Sequence, residues 1–155
     1  MRYRLNGSRL TVYGDALIDG AIVVSVRYAL HDHRRQRWTT HEVGKKDGYT
    51  VVRIEISDDK DTYCLDAGNA QINSEVNLRI KKSNGSDQQK WCYREDSRGP
   101  KIFNYMPYLN TSAALSLRGD FGNVQYDAVV LDRSFSAVSQ LWYFNANDYL
   151  DEIPN

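Results

Sequence analysis

Cysteine, proline and methionine are scarce in this chain, and no apolar run in it is long. Only Cys64 and Cys92 occur in 155 residues. Two cysteines are too few for a small secreted framework built on disulfides. Free thiols are expected, with a Cys64–Cys92 bridge as the lesser alternative. No stretch approaches the ~18 apolar residues of a membrane-spanning helix, so membrane insertion is not expected. The segment Met1-Arg2-Tyr3-Arg4-Leu5 alternates from the start and lacks the layout of a secretory leader. The expectation is a cytoplasmic chain as synthesised, with secretion by another route left open. Net charge is missing as well: 20 Lys and Arg balance 20 Asp and Glu, and the pI is near 6.8. That balance leaves no electrostatic footprint for nucleic acid. The basic run from His31 to Arg37 is short, breaks at Trp38, and reads as a solvated hairpin tip.

Signatures of catalysis are absent too. There is no Gly-x-Gly-x-x-Gly, no phosphate-binding loop, no Gly-x-Ser-x-Gly and no His-Glu-x-x-His. The three histidines stand at 31, 33 and 41. His31 and His33 would share a strand face, but two imidazoles without a third ligand make a weak metal site. Neither catalysis, nor a metal, nor a cofactor is expected. Arg118-Gly119-Asp120 spells an adhesion tripeptide, which the repeat described next already explains. Asn6, Asn84 and Asn110 each open an Asn-x-Ser/Thr sequon, relevant only in a eukaryotic secretory route.

What is present is a repeat. All three tryptophans fall in Gln36-Arg37-Trp38, Gln89-Lys90-Trp91 and Gln140-Leu141-Trp142, whose glutamines stand 53 and 51 residues apart (36 to 89, 89 to 140). Gly14-Asp15, Gly68-Asn69 and Gly119-Asp120 precede the three Trp by 24, 23 and 23 residues (14 to 38, 68 to 91, 119 to 142). Two landmarks in one register mark a threefold internal repeat. In a strand, positions i and i+2 share a face, so Gln and Trp should lie side by side with the middle residue facing outward. Trp has a large apolar area and an N–H to satisfy. A neighbouring Gln amide can bond backbone that no strand satisfies. Gln36, Trp38, Gln89, Trp91, Gln140 and Trp142 are therefore read as structural: three Trp in one core, three Gln pinning loops.

Between these landmarks, short alternating segments are bounded by Gly, Asn, Asp and Ser. Twelve strands result, four per repeat, among them Leu10–Tyr13, Ile22–Tyr28, Tyr63–Asp66, Asn77–Lys81, Lys90–Arg94 and Leu141–Asn145. Asp47-Gly48, Asn84-Gly85 and Asn6-Gly7 carry hairpin-turn signals. Many short strands with regular turns indicate a sandwich or barrel. Threefold repetition selects an all-β trefoil barrel from these. No linker separates the copies, so residues 1–155 read as a single domain with repeats near 1–48, 49–99 and 100–155.

Three Gln-x-Trp motifs, each after a strand–Gly–strand unit, resemble the ricin-type β-trefoil lectin family over essentially the whole chain. The middle copy is the most similar, with Cys64-Leu65-Asp66, Val76-Asn77-Leu78, Lys82-Ser83-Asn84 and Gln88-Gln89-Lys90-Trp91. The resemblance implies a β-trefoil of three pseudo-symmetric lobes, and often carbohydrate binding. It places the family's sugar-binding carboxylate at Asp66, a polar contact at Asn77, and an amide at Gln88 where Asn is usual. Arg79 stands at the aromatic position, which favours a charged or modified sugar, since a guanidinium stacks or binds anions bidentately. In the first and third copies Val12 and Leu117 replace the Asp, Arg35 and Ser139 replace the Asn, and Val26 and Val130 or Leu131 replace the aromatic. Tyr28 and Tyr126 lie near enough for a rearranged pocket. Cys64 matches a bridged cysteine, but its partner position, about Lys81, is not Cys.

The expected function is a non-catalytic lectin-like module with one sugar site in the middle repeat, taking a glycan or glycoprotein ligand. The alternatives are a β-trefoil protease inhibitor, or a protein-interaction or toxin-targeting subunit whose sugar sites are lost. A homodimer or another protein partner stays open.

Overall fold

The computed structural model describes residues 1–3, 8–27, 33–98, 101–118, 126–134 and 138–143. Twelve strands span them: β1 (Arg2–Tyr3), β2 (Arg9–Val12), β3 (Val23–Val26), β4 (Thr39–Lys46), β5 (Tyr49–Ser57), β6 (Thr62–Asp66), β7 (Arg79–Lys82), β8 (Trp91–Glu95), β9 (Phe103–Pro107), β10 (Ala113–Arg118), β11 (Tyr126–Arg133) and β12 (Trp142–Tyr143). All are antiparallel to their neighbours. Each expected strand has a counterpart among the described residues, while the expected ends at Tyr28 and Asn145 lie outside them. Among the described residues no helix is long and apolar enough to cross a membrane.

Six strands pair in the succession β1–β12–β9–β8–β5–β4. The other six form three hairpins, β2–β3, β6–β7 and β10–β11. The hairpins join one another. β3 pairs with β11, Val23 N–H donates to Leu78 O at 2.8 Å, and Leu78 N–H donates to Val129 O at 2.8 Å. The β4–β5 turn is Asp47-Gly48, with φ of 50° and 84°. Positive φ at both central residues is the mirror-image turn that matches strand twist, as the Asp-Gly signal predicts.

The core is organised by the three tryptophans. Trp91 and Trp142 are fully buried and Trp38 nearly so. Each indole N–H donates to a buried carbonyl: Trp38 to Leu10 O at 2.8 Å, Trp91 to Leu65 O at 3.0 Å, and Trp142 to Leu115 O at 3.0 Å. An unmet donor and acceptor at these depths would cost about 1–3 kcal/mol each. The three leucines are themselves fully buried. A polar bond and an apolar contact thus fix one register three times over.

The glutamines sit differently from the strand reading. Gln89 closes a 3-10 turn (Asp87–Gln89) and Gln140 another (Val138–Gln140), while Gln36 follows a third (His33–Arg35). The chain bonds i to i+3 here, as in Gln36 N–H to His33 O at 2.9 Å and Gln89 N–H to Ser86 O at 3.1 Å. The ladder begins only at or after the Trp. The outward middle position also holds only in part: Arg37 is exposed, Lys90 half-buried, and Leu141 buried. The amides do pin loops. Gln89 Nε2 donates to Lys82 O at 2.9 Å and its Oε1 accepts Asn84 N–H at 3.0 Å. Gln140 Nε2 donates to Arg133 O at 2.6 Å.

Cys64 and Cys92 are both free and buried. Cys92 belongs to a small cluster with Val51, Met106 and Ala114, on the other face of β8 from Trp91. Lys81 stands directly opposite Cys64 in the β6–β7 ladder.

Candidate functional site

β6 ends at Asp66, whose side chain is half-buried. Its Oδ1 accepts the Gly68 amide at 2.7 Å, an Asx turn that carries the chain out of the strand. Gly68 has φ of 58°, a left-handed conformation that costs an L side chain strain. Oδ2 accepts a longer bond from Gln89 Nε2 at 3.4 Å. Each carboxylate oxygen offers about two lone-pair sites, so both oxygens retain capacity for hydroxyl donors.

Arg79 faces Asp66 directly across the β6–β7 ladder. Its Nη1 donates to Gly20 O at 2.7 Å, reaching into the neighbouring lobe. Asn77 is also committed across a lobe boundary: Nδ2 donates to Val23 O at 3.1 Å. Both side chains line a cavity of about 290 Å³ with Asp66 at its edge. Gln88 lies on the far side of Asp66, in a shallower depression that also takes in Asn84 and Ser86. Asp66, Gly68, Asn69 and Lys81 border both. Of the four residues expected at the site, three therefore flank the Asp66 carboxylate, Asn77 and Arg79 on one side and Gln88 on the other.

Sequence reasoning missed the loop after Asp66. Asn69, Gln71 and Asn73 line the cavity. Asn69 Oδ1 accepts Gln71 N–H at 3.1 Å and Asn73 Oδ1 accepts Glu75 N–H at 3.0 Å. Those turns use the carbonyl oxygens only, so the Nδ2 donors take no part in them. The available signal was the spacing of three amides at 69, 71 and 73. Lys81, two residues beyond Arg79 on the same face of β7, was also passed over.

The equivalent positions in the other copies need correction. The Gln bonds define them: Gln36 Nε2 donates to Thr11 Oγ1 at 3.1 Å and Gln140 Nε2 to Ser116 Oγ at 3.1 Å, as Gln89 does to Asp66. Thr11 and Ser116, not Val12 and Leu117, stand where Asp66 stands. Both hydroxyls are buried and donate within their own strands, to Arg9 O at 2.9 Å and Ala114 O at 3.0 Å. Opposite them stand Val24 and Val130, so Val24 rather than Val26 holds the aromatic place in the first copy. Arg35 Nη1 donates to Val12 O at 3.3 Å. Tyr126 is exposed and packs against Tyr13 with ring centroids 5.4 Å apart. Tyr28, His31, Asn6-Gly7 and Gly119-Asp120 lie outside the described residues. Among the described residues no group of three His, Cys, Asp or Glu is arranged to hold a metal ion.

Among solved structures the chain is similar to a designed threefold-symmetric protein, ThreeFoil, at 21% identity and a TM-score of 0.69, over 92% of this chain and 93% of that one. The fold is a β-trefoil. It is also similar to a Macrolepiota procera ricin B-like lectin solved with lactose, at 17% identity and a TM-score of 0.61, over 92% of this chain and 89% of that one. A third similar structure is a Polyporus squamosus lectin bound to Neu5Acα2-6Galβ1-4GlcNAc, at 17% identity and a TM-score of 0.60. That match covers 90% of this chain but only 44% of the lectin chain, so this trefoil spans less than half of its length. No family model matches the chain, and no curated protein sequence does. At these identities the likeness is one of fold.

Proposed function

We propose that this trefoil is a non-catalytic carbohydrate-binding module of lectin type, with one principal site at Asp66. The observation that carries the reading is the cavity edge itself. A half-buried carboxylate, opposite an arginine, is ringed by the amide side chains of Asn69, Gln71, Asn73 and Asn77. A carboxylate accepts from two adjacent hydroxyls while amides both donate and accept, which is the complement of a sugar's hydroxyl pattern. The lactose and sialyl-lactosamine complexes of the similar lectins support the ligand class. Arg79 and Lys81 tilt the choice toward an acidic or otherwise modified sugar.

The test begins with a glycan array, followed by titration of the best hit against wild type and Asp66→Asn. The substitution keeps the shape but turns one acceptor oxygen into a donor. Hydrogen bonds to charged groups contribute about 1.5–3 kcal/mol. Affinity should fall by about one to two orders of magnitude. Equal affinities would remove the site from Asp66. A second reading, a protein-binding trefoil without a sugar site, draws on Asn77 and Arg79, each of which commits one donor to backbone of the neighbouring lobe, at Val23 and Gly20. An array without hits would favour it.

A further inference from the structure

A second depression, of about 590 Å³, opens on the other side of the loop that walls the Asp66 cavity. Ile72 lines this basin, whereas Gln71 and Asn73 on either side of it line the Asp66 cavity. β11 passes between the two in the same way. Leu131 borders the first and Arg133, two residues along on the same strand face, borders the second. The shared wall is fastened at two points: Asn73 N–H donates to Leu131 O at 3.0 Å, and Asn110 Nδ2 donates to Ala70 O at 2.9 Å.

The chemistry of the basin differs from that of the first cavity. Arg94 from β8 and Arg133 from β11 line it, two basic residues on one basin. Thr111, Ser112 and Ser134 add three hydroxyls, and Met106, 2% exposed, gives it an apolar floor. No carboxylate lines it among the described residues. Guanidinium forks match carboxylate and sulfate oxygens bidentately. Hydroxyls beside an apolar floor suit a sugar ring better than a bare ion.

We propose that this basin is a second binding site, for a carboxylated or sulfated sugar residue, set back to back with the Asp66 cavity across the loop 69–73. It rests on the carbohydrate reading of the chain but uses none of the Asp66 residues.

The experiment is an amide-resolved NMR titration with four probes: a sulfated disaccharide, glucuronic acid, glucose and inorganic sulfate. Saturable shifts are expected at Ser112, Arg133 and Ser134 with one or both acidic probes and not with glucose. The responding probe decides between sulfate and carboxylate. Arg94→Gln combined with Arg133→Gln should weaken that binding by at least about tenfold. Thr111→Glu, which puts a like charge into the basin and removes no described bond, should do the same. Asp66→Asn should leave the basin shifts intact, so the two sites fail or survive separately. Absent basin shifts with both acidic probes would overturn the proposal, as would shifts that persist in both basin variants. Equal affinity for inorganic sulfate and the sulfated disaccharide would overturn the sugar assignment.

Discussion

Replacing Trp91 by Phe tests the register on which the whole site hangs. Trp91 is fully buried, and its Nε1–H reaches the Leu65 carbonyl at 3.0 Å, one residue before Asp66. Phe keeps one ring and loses both the donor and the second ring. A stranded buried carbonyl costs about 1–3 kcal/mol. Truncating a buried Trp to Ala costs about 3–5 kcal/mol, and Phe retains most of that packing, which leaves a packing loss of about 1 kcal/mol. The sum is about 2–4 kcal/mol. At roughly 2–4 °C per kcal/mol for a chain of this size, Tm should drop by about 5–15 °C. A typical domain has about 5–15 kcal/mol in total, so most of the population stays folded and the loss is measurable. Urea unfolding followed by far-UV circular dichroism gives the difference, with an unchanged m-value as the check that the end states are the same. Trp38→Phe and Trp142→Phe should fall within about 1 kcal/mol of it, because their indole bonds measure 2.8 and 3.0 Å. A loss under about 0.5 kcal/mol at Trp91 would refute the argument. So would a Trp91→Ala variant that keeps its Tm while losing all binding.

Acid should expose a second dependence. Arg98 holds the Asp96 carboxyl at about 2, below its ordinary 3.8, through two side-chain bonds and its backbone amide. A folded value below the unfolded one stabilises above about pH 4, and that contribution is lost as pH falls toward 2. Because Arg98 is 42% exposed, the effect should be about 1 kcal/mol, and Asp96→Asn should flatten the Tm–pH curve over that window. Parallel curves would refute it. Burial pushes the Cys64 and Cys92 thiols up. Both should ignore an aromatic disulfide reagent in the native protein and react in denaturant, and a native burst of either would contradict their placement. Arg79→Trp, opposite Asp66, should strengthen neutral-sugar binding and weaken any preference for acidic sugars. Titration with one neutral and one acidic array hit reads both changes.

Most of the fold was legible because its signals are local. Alternation at Tyr63–Asp66 and the Asp47-Gly48 turn report backbone geometry that neighbouring residues decide among themselves. The lobe-to-lobe alignment was legible only in part. Counting from the glycines pairs Val12 and Leu117 with Asp66, whereas the Trp and Gln bonds pair Thr11 and Ser116 with it. A glycine marks where a turn reverses, and turn length can vary between copies. Thr11 stands three positions before Gly14, but Asp66 stands two before Gly68. An indole bonded to a buried carbonyl has no such freedom. The 3-10 turns before each Trp were hidden for a related reason. Their i to i+3 bonds leave no apolar period in three residues, so strands that begin at or just after the Trp were read as beginning one or two residues early, at Arg37, Lys90 and Leu141.

The position after each core leucine explains why the middle lobe is the one proposed to bind. It must accept the amide of the Gln that pins its lobe, and three different side chains do so. Thr11 and Ser116 accept through one oxygen and donate their own proton back to the strand. With every bond internal, they can be buried, and they are 1% and 2% exposed. A carboxylate has no proton to give back, and burying its charge unpaired is costly. Asp66 therefore stays at the edge, accepting the Gly68 N–H at Oδ1 and only a 3.4 Å bond from Gln89 Nε2 at Oδ2. The same substitution that weakens the internal bond leaves acceptor capacity facing outward. A hydroxyl here closes the lobe on itself, and a carboxylate leaves its edge open.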